Sequence, residues 1–102
     1  MASAEGNKPF FDSVNTALFA ANASANGRDI IDNLVKAGFD KSMMQVTPDT
    51  TTTGGRVDAI LFSVRIGTSC LLGQHGSAYS SAVEPALANG TCLVGKTRPI
   101  DW

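Results

Sequence analysis

A chain of 102 residues sits near the commonest domain size and can bury roughly two thirds of its unfolded surface around one core, with no room for a second. Its 43% hydrophobic and 17% charged residues exclude disordered, collagenous and coiled-coil classes. The net charge of −1, with basic residues scattered from Lys8 to Arg98, argues against nucleic acid and anionic membrane as partners, because both require concentrated positive charge.

No apolar run approaches the roughly 18 residues of a membrane span, and Met1 to Gly6 lack the charged and apolar regions of a signal peptide. The chain is therefore either cytosolic or an exported protein without its signal. Two cysteines in so small a chain favour export and a Cys70–Cys92 disulfide. Residues 1–7 read as a disordered or added N-terminus and 8–102 as a single domain.

The first predicted element is a helix over residues 8 to 21, with Asn7 as cap and Pro9 in the first turn. Phe10, Phe11, Val14, Ala17, Leu18 and Ala21 fall at spacings of three and four and define its apolar face. A small polar loop follows. Asn26, with Asp29 three positions on, caps a second helix that runs to about Ala37 and buries Ile30, Ile31, Leu34 and Val35. Gly38 supplies the left-handed residue that ends it, with Phe39 folding back on Leu34.

Met44 and Val46 alternate with Gln45 and Thr47 in a short strand that Pro48 ends. Thr50 to Gly55 is a low-complexity loop. From Val57 to Ile66 the pattern has period two, with Ile60, Phe62, Val64 and Ile66 on one face and Ala59, Leu61, Ser63 and Arg65 on the other. Gly67-Thr68 reads as a two-residue hairpin turn, so that Ser69 to His75 returns antiparallel and pairs Arg65 with Cys70 and Val64 with Leu71. A three-residue loop would reverse those faces. Tyr79 to Ala88 fits either a helix interrupted at Pro85 or a strand to about Glu84 with a turn starting at Pro85.

The stretches Ala37-Gly38-Phe39-Asp40-Lys41, Met44-Gln45-Val46-Thr47-Pro48-Asp49, Phe62-Ser63-Val64-Arg65, Cys70-Leu71-Leu72-Gly73-Gln74 and Cys92 through Trp102 together resemble a family of actinobacterial exported domains of unknown function. The resemblance covers about residues 30 to 102. It implies a short protein with a secretory signal or lipoprotein-type anchor ahead of one such domain, and it brings no catalytic residue or ligand with it.

Gly90-Thr91-Cys92-Leu93-Val94-Gly95-Lys96-Thr97 matches the phosphate-loop pattern GxxxxGK[ST]. Context argues against nucleotide binding: only five residues follow Thr97, and Pro99 blocks the helix whose N-terminus should face the phosphates, so a C-terminal strand is the expectation. His75, the only histidine, reads as a surface or strand-end residue, since no serine sits in a nucleophile elbow. One histidine and two bonded cysteines make a poor zinc set, and Asp29, Asp32, Asp40, Asp49 and Asp58 lack calcium-loop spacing. Asp58, Arg65, Glu84, Lys96 and Arg98 read mainly as solvated charge on the outer sheet face, with a polar site as the alternative. The sequons at Asn22 and Asn89 carry no weight.

The expectation is an α+β domain with two N-terminal helices packed on one face of a three- to four-stranded antiparallel sheet, and a C-terminal segment disulfide-linked to that sheet. No catalytic residue, cofactor or metal is assigned. The functional expectation is an extracytoplasmic, non-enzymatic binding or accessory module acting through protein contact. The alternative is a small-ligand binder or hydrolase-like enzyme using a site around His75.

Overall fold

The computed structural model describes residues 4–48, 59–76, 78–88, 90–93, 97, 98 and 100. The expected loop over 50–55 and the first residues of the long strand lie outside them. Helices α1 (Ala4–Ala21) and α2 (Gly27–Lys36) precede a 3₁₀ turn (Lys41–Met43) and strands β1 (Met44–Val46), β2 (Ile60–Ile66), β3 (Ser69–His75) and β4 (Tyr79–Pro85). The strands form one antiparallel meander in the order β1-β2-β3-β4. Both helices pack on one face of it, α1 against β3 and β4 and α2 against β1.

The β2–β3 hairpin has the register that its turn dictates. Gly67 takes φ 64°, Ile66 pairs with Ser69, Arg65 with Cys70 and Val64 with Leu71. Ile60, Phe62 and Val64 point to the helices and are buried with Met44, Val46 and Leu71. Gly73 lies opposite Phe62, and a Cβ there would collide with the phenyl ring, which fills the space the glycine leaves. Of the two expectations for residues 79–88, the strand holds: β4 pairs along β3 until Pro85, which has no N–H to continue a ladder.

Helix α2 starts on a complete capping box. Asn26 Oδ1 accepts from the Asp29 amide at 2.9 Å, and Asp29 Oδ2 accepts from the Asn26 amide at 3.1 Å. It ends on Gly38 at φ 108°, with the Phe39 amide donating to Leu34 O and the Gly38 amide to Val35 O, the two bonds of a Schellman motif. Ile30, Ile31 and Leu34 are buried as expected, but Val35 is exposed, because the helix meets the sheet along a narrower stripe.

Helix α1 departs further from expectation. It begins at Ala4, buried in the core, so residues 4–7 belong to the helix and Asn7 is not its cap. Pro9 falls in the second turn and cannot donate to the Glu5 carbonyl. The buried stripe runs through Ala4, Phe11 and Asn15 with Leu18 and Phe19 half-buried, while Phe10, Ala17 and Ala21 face outward. Phe11 joins the layers, its ring centroid 6.0 Å from that of Phe39 and 5.8 Å from that of Phe62.

Candidate functional site

The sheet face away from the helices holds the features that a ligand or partner can reach. Strand alternation places Leu61, Ser63 and Arg65 there, with Cys70 and Leu72 from β3 and Ala82 and Glu84 from β4. After Pro85 the chain turns, Ala86 donating to Thr68 O and Leu87 to Thr91 O, and then crosses this face. Cys92 is bonded to Cys70, with the Cα atoms 5.8 Å apart. The Cys92 and Leu93 amides both donate to Gln45 Oε1, at 2.7 and 3.1 Å. Farther on, the Arg98 amide donates to Val46 O at the sheet edge, and Ile100 reaches the core on the other side.

The C-terminal segment is thus a strap from one sheet edge to the other. It crosses β3 at Cys70 instead of lying along it, and its described residues form no strand; residues 94–96 of the expected C-terminal strand lie outside the described residues. Pro85 explains the change of direction, since the ladder cannot extend past it. Cys70 and Ser63 are fully buried under the strap, and Ser63 Oγ has no hydrogen-bond partner among the described residues.

Two open grooves flank the strap. One, of about 280 Å³, is lined by Ser42, Gln45, Arg65, Gly90 and Thr91, among others. Arg65 crosses its floor half-buried, with Nε donating to Gly67 O at 2.8 Å and Nη1 to Gly90 O at 3.0 Å. Beside the lining residue Ser42, Asp40 caps the 3₁₀ turn; bonds from the Ser42 hydroxyl and then the Ser42 amide hold its carboxyl below the ordinary 3.8. The other groove, of about 240 Å³, lies between Leu61, Leu72, Gln74, Ser80, Ala82 and Leu93.

A polar seam joins α1 to β4 on the inner face. The Asp12 carboxylate accepts from the Tyr79 hydroxyl at 2.7 Å, the Ser81 hydroxyl at 2.6 Å and Lys8 Nζ at 3.0 Å, while Asn15 Nδ2 donates to the Tyr79 oxygen at 3.1 Å. Burial pushes the Asp12 carboxyl upward, but the bonds from Ser81, Tyr79 and Lys8 outweigh it and leave the carboxyl below 3.8. Burial also raises the Tyr79 phenol to about 12; the Asn15 bond opposes that rise, and the Asp12 bond adds to it. Composition patterns missed this cluster because its members are ordinary polar residues 64 or more positions apart across the α1–β4 contacts.

His75 ends β3 as expected but is buried, not on the surface. Its ring stacks on Phe19 with centroids 3.8 Å apart and planes within 2°. Nε2 lies 3.0 Å from Ala23 O, and because a carbonyl only accepts, Nε2 carries the hydrogen.

Of the five charged residues read as a possible outer-face group, Arg65 and Glu84 share one row with Cys70 between them. Arg98 sits at the β1 edge, and Asp58 and Lys96 lie outside the described residues, as does Asn89. The phosphate-loop match is described only in part: Gly90 to Leu93 belong to the strap, and 94–96 lie outside the described residues. Among the described residues no three His, Cys, Asp or Glu side chains gather as metal ligands would, and no helix is long and apolar enough to cross a membrane.

Fold and staple define the class: a two-layer α+β domain whose outer sheet face is crossed by its own disulfide-anchored C-terminal segment. A model of DUF6993, a domain of unknown function, matches residues 15–96, from mid-α1 through the disulfide, and the chain belongs to that family. No curated protein and no solved structure matches it.

Proposed function

We propose that this DUF6993 domain is a non-enzymatic module that acts outside the cytoplasm through protein contact. The observation that carries the reading is the groove beside the strap, where Leu61, Leu72 and Leu93 line an open surface next to the edge strand β4. Apolar side chains grouped beside a strand edge that is unpaired among the described residues suit a partner that adds backbone pairing and fills side-chain pockets. The disulfide fits an oxidising compartment, and the resemblance to actinobacterial exported domains supports secretion or anchoring to the outer face of the membrane. The hydrolase-like alternative is less well supported, since His75 is buried and its Nε2 is engaged by Ala23.

The test is capture from the exported fraction of the host, comparing the native domain with a Leu61→Asp, Leu72→Asp variant of unchanged circular dichroism. A partner held by the native domain and lost by about tenfold or more in the variant is expected, because interface anchors carry most binding energy. Equal capture by both, or capture of nothing, would overturn the reading.

A further inference from the structure

We propose that the groove between the 3₁₀ turn, β1 and the strap binds one carboxylate, held by Arg65. This site lies across the strap from the apolar groove and does not depend on the protein-contact reading. A guanidinium carries five N–H donors. In Arg65 the bonds to Gly67 O and Gly90 O use two of them and fix the plane of the group, which leaves three for a ligand. Among the described residues no carboxylate pairs with it, whereas the side chains of Lys8 and Arg28 have Asp12 and Asp32. A half-buried guanidinium with no counter-ion among the described residues, braced by main-chain carbonyls and facing an open groove, is pre-organised for two-pronged capture of an oxyanion.

The surroundings select the kind of anion. Among the described residues Arg65 is the one cation lining the groove, and Glu84 lies in the same sheet row beyond Cys70. One guanidinium with three N–H donors left matches the single charge and two oxygens of a carboxylate, whereas nothing in the lining supplies a second cation for a dianion such as phosphate among the described residues. At about 280 Å³ the groove is at the small end of ligand sites, which suits a short organic acid or the end of a peptide chain. Gly90 and Thr91 come from the strap, so the site exists only while the strap lies across the sheet.

The experiment is an amide and guanidinium NMR titration of the full oxidised chain with four probes: sodium acetate, N-acetyl trialanine as the free acid, the same peptide as its C-terminal amide, and inorganic phosphate. Saturable shifts at the Arg65 Nε–H and the Gly90 and Thr91 amides are expected with both carboxylates. The amide form should bind at least about tenfold more weakly, as should the free acid to Arg65→Gln. Acetate and free acid of equal affinity would identify the source as a small acid, and a tighter peptide would identify it as a chain end; either ranking upholds the site. Equal binding of acid and amide to the unmodified protein, the absence of saturable shifts, or phosphate binding more tightly than acetate would overturn the proposal without reliance on any variant.

Discussion

The two faces of the sheet are covered by opposite means. On the inner face, Phe11, Ile30, Ile31, Leu34, Phe39, Phe62 and Leu71 are all buried together, so cohesion is spread over many apolar contacts and no single one defines the layer. On the outer face, the attachments that hold the strap include one disulfide, the Gln45 side chain that accepts two amides, the Arg65 bond to Gly90, and backbone bonds at Thr68 and Val46. A core of the first kind fails gradually as volume is removed, whereas a cover of the second kind lifts when a point is cut. The second face also keeps polar groups and two grooves within reach of solvent.

Four variants test this contrast. Phe62→Ala should cost about 3–5 kcal/mol in urea unfolding, since the ring is fully buried against Phe11 and over Gly73. A loss under about 1 kcal/mol would show that the inner layer is not the main source of stability. Cys70→Ser with Cys92→Ser should cost about 3 kcal/mol at a sequence separation of 22. Hydrogen exchange should then quicken at Cys92→Ser and its neighbours while α2 and β2 keep their protection; loss of protection in both layers together would mean that the faces are not independent.

Gly38→Ala should cost roughly 1 kcal/mol or more. A Cβ there meets nothing within 4 Å, so only the backbone at φ 108° opposes it, and an unchanged urea midpoint would show that the cap tolerates a side chain. The smallest effect is expected at Ser63→Ala, with a gain of up to about 1 kcal/mol on removing a buried hydroxyl that has no partner among the described residues. A loss there would reveal a bond to the hydroxyl beneath the strap.

Regular segments were legible because their signals are local. A two-residue turn and a period-two pattern set the register of Arg65 against Cys70, and Asn26, Asp29 and Gly38 mark both ends of α2. In α1 nearly every second or third position is apolar, so periodicity permits several rotations. The one adopted is chosen by tertiary partners: Asn15 by the Tyr79 hydroxyl, and Phe19 by the rings of His75 and Tyr79. The burial of His75 depends on that same rotation. The path of the strap was not legible, because an irregular segment has no period to read and Gln45 gives no sign in sequence that its carbonyl will receive two distant amides. Arg65 was placed on the correct face by alternation alone, but its bonds to Gly67 and Gly90 follow from tertiary structure.

The seam between α1 and β4 makes the protein its own optical indicator. The chain has a single tyrosine, so the ultraviolet absorbance of tyrosinate reports one phenol, and that phenol lies where the helix meets the sheet. In the folded chain, burial first and the Asp12 bond after it keep the phenol neutral past its ordinary 10.0 and up to about 12, whereas an unfolded chain ionises at the ordinary value. The stability this residue contributes is therefore full below pH 10.0 and drains away as the pH climbs through about 12. Asp12 mirrors it in acid: with a folded value below 3.8, its contribution is present above that pH and is lost as the pH falls through the lowered value. In a stopped-flow jump to pH 11, the tyrosinate signal should therefore appear no faster than the seam opens, giving the opening rate without an added dye. Instantaneous ionisation on mixing would show that the phenol is open to solvent.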